Sequence, residues 1–202
     1  MLIIGLNGSP NKNGNTKYLL NRILDKCKDS AETVMIDIAE VLSTQRNNFC
    51  VVCSNPCAGI CYSGTKLEEV YELLKKADGI IFGSPVYFGT VSAQIKAFFD
   101  KSRRLRGQKG LYNVVAAGVT SGASQYGGQE TTLKALHDIM LVQGMIIVGD
   151  GYIDDDCGHH GVCSRKPSEE DEFAIKRADI LAKRLLEVCL ATKDLRGRKD
   201  GE

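Results

Sequence analysis

The chain has 202 residues, of which 43% are hydrophobic and 25% are charged, which is enough for one α/β domain with a sizeable core. Its 26 Lys and Arg residues nearly balance its 25 Asp and Glu residues, so the net charge of +1 argues against nucleic acid and against an anionic membrane as partners. No apolar run is long enough to span a bilayer, and a strand-like segment opens the chain in place of a signal peptide, so we expect a soluble, cytoplasmic protein.

Short apolar runs alternate with amphipathic segments along the chain. The pattern predicts five strands, at Leu2–Asn7, Thr33–Ile38, Gly79–Ser84, Asn113–Val119 and Met145–Val148. It predicts five helices, at Thr16–Cys27, Leu67–Lys76, Val91–Ser102, Glu130–Val142 and Ser168–Leu190. Strands of near-continuous Val and Ile are typical of a parallel sheet that is buried on both faces. We therefore predict an α/β fold: a flavodoxin-like, doubly wound, five-stranded parallel sheet with helices on both faces.

This prediction places residues 1–192 in a single domain. The last segment, 193–202, is mostly charged and contains two glycines, so we expect a flexible tail there. Ligands of doubly wound sheets bind beyond the carboxyl ends of the strands. The loops that follow the first four strands are therefore the candidates for a functional site.

The loop after the first strand, residues 8–16, is rich in Gly, Asn and Ser and leads into a helix. Free N–H groups at a helix start bind anions, and Ser9, Asn15 and Thr16 add polar side chains. Lys12 could add a positive charge. The loop carries neither Gly-Lys-Ser/Thr nor Gly-x-Gly-x-x-Gly, which argues against a P-loop and a dinucleotide fingerprint. An ordinary turn with a helix cap is the alternative to a phosphate site.

The loop after the third strand combines a proline, two aromatic rings and a glycine, in the order Pro85, Val86, Tyr87, Phe88 and Gly89. Such a loop suits the wall of a site for a flat ring, with backbone amides along its edge. The alternative is that Tyr87 and Phe88 simply pack beneath the loop.

The loop after the fourth strand, residues 120–129, offers small and polar residues, among them Thr120, Ser121, Gly122 and Gly127. Glycines let a ligand approach the backbone closely, and hydroxyl groups supply hydrogen bonds. Each of the three loops is weak support by itself. Three such loops at one edge of a sheet predict a ligand site.

Four of the eight cysteines lie within twelve residues, with the spacing C-x2-C-x3-C-x3-C: Cys50, Cys53, Cys57 and Cys61. Their loop, residues 47–65, follows the second strand, so we expect it at the same sheet edge as the other loops. A reducing compartment disfavours disulfides, and thiolates at this spacing bind iron–sulfur clusters or Zn. Four ligands in one short loop are more typical of a 4Fe–4S cluster. Zn and free, redox-active thiols are the alternatives.

A second unusual segment lies late in the chain and contains Cys157, His159, His160 and Cys163. Its spacing matches no zinc pattern, although Cys and His are common ligands. We expect a solvated loop over residues 149–167, near the edge of the ligand pocket, with one of the two histidines near a substrate.

Several short stretches carry a family resemblance. They are Gly8-Ser9-Pro10 with Gly14-Asn15-Thr16, Gly83-Ser84-Pro85-Val86-Tyr87 with Gln94–Asp100, and Gly128–Thr132 with His137 and Gly144–Ile146. With these stretches the chain resembles the flavodoxin-like NAD(P)H-dependent FMN reductases. The cysteine loop after the second strand, Gly161 and residues 167–171 resemble, more narrowly, the iron–sulfur flavoprotein branch of that family.

The resemblance implies FMN as a cofactor, with its phosphate held by Ser9, Asn15 and Thr16. Its isoalloxazine ring is then expected against residues 85–89 and 120–128. Asn11 stands where the family often has Arg, so the resemblance shifts phosphate binding towards Lys12 and the backbone amides. The branch usually spaces its cysteines C-x2-C-x2-C with a longer final gap, and the different spacing here leaves the 4Fe–4S cluster and Zn both open.

These observations lead to one functional hypothesis and two alternatives. The hypothesis is an oxidoreductase with FMN and a 4Fe–4S cluster, which moves electrons from ferredoxin or NAD(P)H to a quinone, dioxygen, peroxide or small organic molecule. The first alternative is an NAD(P)H-dependent FMN or quinone reductase whose cysteine loop binds Zn or no metal. The second is a non-catalytic, flavodoxin-like electron carrier. The resemblance also implies a homodimer or homotetramer.

Overall fold

The computed structural model describes residues 1–197, and a parallel sheet forms its centre. Its strands are β1 (Leu2–Asn7), β2 (Glu32–Asp37), β3 (Gly79–Pro85), β4 (Val115–Gly122), β5 (Ile146–Ile147) and β6 (Val162–Arg165). Its helices are α1 (Asn15–Cys27), α2 (Ile38–Ser43), α3 (Lys66–Leu74), α4 (Ala93–Lys101), α5 (Arg103–Gly107), α6 (Gln129–Val142) and α7 (Glu172–Ala191). Short 3-10 helices cover Ile60–Tyr62, Ser168–Glu170 and Lys193–Arg196. The strand order is β2-β1-β3-β4-β5, and β6 also pairs with β4.

Each face of the sheet packs against its own set of helices. Ile4, Ile80 and Phe82 belong to a core on the side of α3, α4 and α6. Their neighbours Ile3 and Ile81 belong to a second core on the side of α1 and α7. Because successive side chains of a strand point to opposite faces, near-continuous apolar strands bury both faces. The structure thus confirms the predicted doubly wound α/β fold.

The fifth position of the sheet is shared by two short strands. Strand β5 pairs with the first half of β4, and β6 pairs with the second half, where Thr120 lies opposite Cys163 and Gly122 opposite Arg165. The sequence placed residues 162–165 inside a loop over 149–167, and that part of the prediction is wrong. Strand β4 also runs three residues further than predicted, because β6 supplies hydrogen-bonding partners beyond Val119.

The first residues of the predicted flexible tail are ordered, so that part of the prediction is wrong. Lys193–Arg196 form a 3-10 helix, and Arg196 Nε lies 3.1 Å from Asp78 Oδ1, with the Arg196 side chain only 2% exposed. This ion pair fixes the turn against the start of β3. The rest of the predicted tail, residues 198–202, lies outside the described residues. None of the helices within residues 1–197 is long and apolar enough to cross a bilayer.

Candidate functional site

The loop between β1 and α1 is held in place by polar contacts to its neighbours. The Gly8 N–H donates to the Gly83 carbonyl at 2.8 Å, and Ser92 Oγ donates to the Gly8 carbonyl at 2.7 Å. Ser9 Oγ accepts a hydrogen bond from the Asn11 N–H at 3.1 Å, and Ser9 is buried. These bonds join the loop to β3 and to the start of α4, so its shape is fixed before any ligand binds.

Helix α1 starts with open backbone donors. Its N-cap is Gly14, no side chain caps it, and its first turn contains no acidic residue. The N–H groups of Asn15 and Thr16 therefore have no acceptor within the helix, and the positive end of the helix dipole favours an anion there. Asn15 Oδ1 accepts from the Ser168 N–H at 2.7 Å, which joins α1 to the segment before α7. Thr16 is buried at this junction.

Two of the predicted phosphate-binding residues, Asn11 and Lys12, lie on the surface. Lys12 Nζ is 3.3 Å from Glu40 Oε2, and the same carboxylate pairs with Lys66 at 2.5 Å. Lys66 and Lys12 together lower the pKa of Glu40. Lys12 therefore has an anionic partner on α2, in contrast to the backbone donors at the start of α1.

The loop after β3 turns sharply and presents its aromatic rings to solvent. Tyr87 and Thr90 exchange two backbone hydrogen bonds of 3.0 and 3.1 Å, with Phe88 and Gly89 at the corner in left-handed conformations. Tyr87 is 45% exposed and Phe88 is fully exposed, so neither ring packs beneath the loop. The Val86 N–H donates to the Ser121 carbonyl at 2.9 Å, which holds this loop against β4.

The end of β4 and the following turn are organised by Gln129, which the sequence reasoning did not single out. Its Nε2 donates to the Ser124 carbonyl at 2.6 Å, and its Oε1 accepts from the Gly127 N–H at 2.9 Å. A Cβ on Gly122 would lie 2.6 Å from Gln129 Nε2, so a larger residue there would displace the Gln129 side chain from these hydrogen bonds. Thr120, Ser121 and Gly122 thus belong to the end of β4 rather than to a loop. The sequence signals for Gln129 were its place in the polar loop 120–129 and in a family motif.

The turns after β3 and β4 contact each other. Thr131 Oγ1 donates to the Gly89 carbonyl at 2.8 Å, and a Cβ on Gly128 would lie 3.1 Å from Gly89 Cα. Gly128 has a φ of 95° at the start of α6, a conformation that favours glycine. The structure therefore brings the three predicted loops together at the carboxyl edge of the sheet.

A cavity of about 880 Å³ adjoins this edge beyond β6. Tyr126, Gly128 and Cys163 line it, but none of the residues of the loops after β1 and β3 does. Glu130 and Glu172 also line it, and such carboxylates disfavour a phosphate. The start of α1 suits an anion better, because its first turn carries no acidic residue.

The four clustered cysteines line a single cavity of about 370 Å³. The remaining residues around this cavity are Arg46, Asn47, Phe49, Val51, Lys101 and Arg103. Cys50 and Cys57 are partly buried, whereas Cys53 and Cys61 are exposed. Within residues 1–197, no three Cys, His, Asp or Glu side chains approach one another closely enough to form a metal site. The structure thus places the four cysteines around one cavity but does not bring their side chains together at one point.

The cysteine cavity lies beside the C-terminal end of α4, whereas the flavodoxin-type loops lie beside its start. The sequence had predicted that the cysteine loop and the other loops share one edge of the sheet. Lys101, which lines the cavity, is the last residue of α4, whereas the turn after β3 leads into the first residue, Ala93. The nine residues of α4 span about 13 Å. The difference arises because α2 follows β2 directly and carries the chain away from the sheet edge before the cysteines begin.

The segment between β5 and β6 is fixed by a buried ion pair. Arg177 on α7 donates to Asp150 Oδ2 at 2.5 Å and to Asp156 Oδ2 at 2.7 Å, and Arg177 is 3% exposed. Asp150 and Asp156 raise the pKa of Arg177. Cys157, His159 and His160 are exposed on this segment. Cys163 lies apart from them on β6, where burial raises the pKa of its thiol to about 11.

Comparison with known proteins agrees with this geometry. The profile of the NADPH-dependent FMN reductase family matches residues 1–159, and the chain belongs to this family. A flavodoxin, WrbA-like protein from Agrobacterium tumefaciens has the same fold, with a TM-score of 0.65 and 23% identity over 94% of this chain and 97% of its own. The fold and the family together define an FMN-dependent oxidoreductase.

Two relatives define the branch more narrowly. An iron–sulfur flavoprotein of Methanocaldococcus jannaschii is 39% identical over 96% of this chain and 100% of the relative. An iron–sulfur flavoprotein of Methanosarcina thermophila is 36% identical over 93% of this chain and 95% of the relative. The chain thus lies in the iron–sulfur flavoprotein branch, which confirms the resemblance seen in the sequence.

The residues at the carboxyl edge fit FMN. A phosphate needs donors without competing carboxylates, and the uncapped start of α1 provides them. A flat ring needs apolar walls and backbone amides, and the turns after β3 and β4 provide exposed rings beside closely packed glycines.

Proposed function

We propose that this protein is an oxidoreductase that carries FMN and a 4Fe–4S cluster and transfers electrons from a low-potential donor to a small acceptor. The donor is ferredoxin or NAD(P)H. The acceptor is a quinone, dioxygen, peroxide or a small organic molecule. Bound FMN supplies two-electron hydride chemistry and the cluster supplies one-electron steps, so the pair converts between the two. The observation that carries the proposal is that all four clustered cysteines line one cavity.

In this proposal the FMN phosphate is held at the start of α1. Ser9, Asn15 and Thr16 contribute the loop and its first helical N–H groups, and Lys12 and Asn11 border it from the surface. The burial of Ser9 and Thr16 and the absence of an acidic first turn support this assignment.

The isoalloxazine ring is assigned to the two turns that contact each other. The residues assigned to it are Pro85, Val86, Tyr87, Phe88, Gly89, Thr120, Ser121, Gly122 and Gly127. The bond from Thr131 to the Gly89 carbonyl fixes the spacing of the two turns, and Gln129 fixes the turn after β4. These residues orient the ring and exclude water from one side of it.

The cluster is assigned to Cys50, Cys53, Cys57 and Cys61. The basic residues around their cavity support this assignment, because four thiolates and a cluster carry net negative charge. The cavity is lined by no carboxylate. Loading the cluster requires the exposed thiols of Cys53 and Cys61 to turn inward, which the exposed loop permits.

We also propose a homodimer or homotetramer. The flavin loops and the cysteine cavity lie at opposite ends of α4, about 13 Å apart along the helix. An assembly that sets the cysteine loop of one subunit against the flavin loops of another shortens the electron path. The fully exposed rings of Phe88 and Tyr126 on the flavin loops support a contact there.

The experiment is anaerobic purification followed by absorption spectroscopy and analysis of iron and acid-labile sulfide. We expect flavin bands together with about four iron and four sulfide per chain. Cys53→Ala should abolish the iron and the sulfide and leave FMN bound, because none of the residues assigned to FMN lines the cysteine cavity. The matched control is Cys157→Ala, which removes an exposed thiol outside the cysteine loop and should change neither cofactor.

Three results separate the alternatives. Flavin bands without iron in the wild-type protein refute the cluster, and bound Zn then identifies the reductase with a zinc loop. FMN lost together with the fold in Cys53→Ala indicates a structural metal instead. Reduction of the bound flavin by NAD(P)H, followed by turnover with a quinone or peroxide, distinguishes an enzyme from an electron carrier.

A further inference from the structure

One lysine is buried without a counter-charge beside the cysteine loop. Lys101, the last residue of α4, is 2% exposed. Among residues 1–197 its ammonium group has neither an ion-pair partner nor a hydrogen-bond acceptor. Lys96 on the same helix behaves as surface lysines do: its side chain is 61% exposed and pairs with Asp100 at 2.6 Å. The ammonium nitrogen is not among the fully buried polar atoms, but nearly all of the side chain is covered, and a lysine held in this way without an anionic partner calls for a physical reason.

The helix dipole explains only part of this burial. The C-terminal end of a helix favours a positive charge, and Lys101 lies there. This interaction is weak and falls off within the last turn of the helix. A source of negative charge in the cavity itself would balance the ammonium group more strongly.

The cavity that Lys101 lines contains that source. All four clustered cysteines line it, and the other charged side chains that residues 1–197 place around it, Arg46 and Arg103, are positive as well. Arg103 is already fixed to the cysteine loop, since its Nη1 donates to the Ser54 carbonyl at 3.1 Å. With no carboxylate around the cavity, thiolates are the anions available to balance these cations.

We propose that Lys101 is a charge-compensating residue for the metal–thiolate centre of the cysteine loop, and that it strengthens metal binding and favours the reduced state of the centre. The inference rests on the proposed function, namely that the four cysteines hold a cluster. Four thiolates give such a centre a net negative charge, and each electron added makes it more negative. A fixed positive charge nearby therefore stabilises the reduced form more than the oxidised form.

The test uses three lysine variants of the full chain. Lys101→Met removes the charge and keeps the length of the side chain, Lys101→Gln does the same with a polar end, and Lys101→Arg keeps the charge. Lys96→Met is the matched control, since it removes one exposed lysine from the same helix. FMN content and thermal unfolding show which variants fold, and Lys101→Gln replaces Lys101→Met if the latter does not.

The first readout is the binding of Co²⁺ to the reduced apoprotein, followed by its thiolate charge-transfer absorption. Lys101→Met should weaken Co²⁺ binding roughly 10- to 100-fold, as the loss of an outer-shell partner does at other metal sites. Lys101→Arg should restore most of the affinity, and Lys96→Met should match the wild type. The second readout is the midpoint potential of the reconstituted cluster, which should fall in Lys101→Met and Lys101→Gln.

The outcomes separate this inference from the function on which it rests. Cys53→Ala should abolish Co²⁺ binding in every background. If it does, while Lys101→Met and Lys101→Gln bind Co²⁺ and set the potential as the wild type does, Lys101 has no role at the centre and only the inference fails. If the wild type binds Co²⁺ no better than Cys53→Ala, the cysteines form no metal site, and both fail together.

Discussion

Replacing Arg177 with methionine tests whether the segment between β5 and β6 is fixed by buried charge. Arg177 makes three hydrogen bonds to this segment, to the Asp150 carboxylate at 2.5 Å, the Asp150 carbonyl at 2.8 Å and the Asp156 carboxylate at 2.7 Å. Asp150 is fully buried and Arg177 is 3% exposed. The Asp150 carboxylate also accepts the His159 N–H, so one side chain organises both ends of the segment.

The expected magnitude follows from this burial. Arg177→Met leaves the Asp150 carboxylate buried without its cation, and breaking a buried pair in this way costs about 3–5 kcal/mol. For a protein of this size, each kcal/mol lowers the unfolding temperature by about 2–4 °C. We therefore expect the unfolding temperature to fall by roughly 6–20 °C.

The measurement is thermal unfolding of the purified protein by circular dichroism, with Arg22→Met as the control. Arg22 also holds a carboxylate with two hydrogen bonds, both 2.7 Å to Asp179, but its side chain is 37% exposed. Loss of such a half-exposed pair costs about 1 kcal/mol or less. Equal unfolding temperatures for the two variants would refute the argument, because burial would then make no difference.

Two further predictions concern the loop after β1 and a partly buried histidine. Gly8→Ala should destabilise the protein by about 1–3 kcal/mol and weaken FMN binding, because the new Cβ would lie 2.6 Å from Ile95 Cδ1 and 2.8 Å from the Gly83 carbonyl oxygen. Thermal unfolding measures the stability and FMN titration measures the affinity. Wild-type values in both measurements would refute the prediction. Burial, aided by His160, lowers the pKa of His137 from 6.5, so the unfolded chain takes up the proton first and stability is lost as the pH falls below 6.5. His137→Gln should remove this loss; an unchanged slope of unfolding free energy between pH 7 and 5 contradicts it.

The central strands were predictable because a strand that is buried on both faces is a nearly continuous run of apolar residues. Strand β1 spans Leu2–Asn7 as predicted, since its apolar run is bounded by a polar loop. Strand β6 was not predictable, because its four residues include only one large apolar residue, Val162, and its partner on β4 is more than forty residues away. Helix α2 was missed because six residues are too few to establish a helical period.

In the site too, features that depend on local sequence were predictable, and features that depend on packing between distant segments were not. Loop chemistry predicted which residues gather at the carboxyl edge of the sheet, because strand order in a doubly wound fold brings those loops together. It did not predict the position of the cysteine cavity, which depends on how α2 and the cysteine loop pack against the end of α4. For the same reason Lys101 and Gln129 passed unnoticed, since a sequence does not reveal which polar side chain another segment will cover.

Strands β5 and β6 pair with different halves of β4, and the segment that connects them is suited to insertions. Because β5 and β6 each pair with β4 independently, the chain between them can change length without shifting the register of either strand. The exposed tip of this connecting segment consists of Ile153, Asp154 and Asp155, which follow the Asp150 carboxylate that Arg177 binds. A peptide tag or a small folded module inserted at this tip should leave the cofactor loops undisturbed, which makes it a natural point for attaching a fluorescent reporter or an electrode linker.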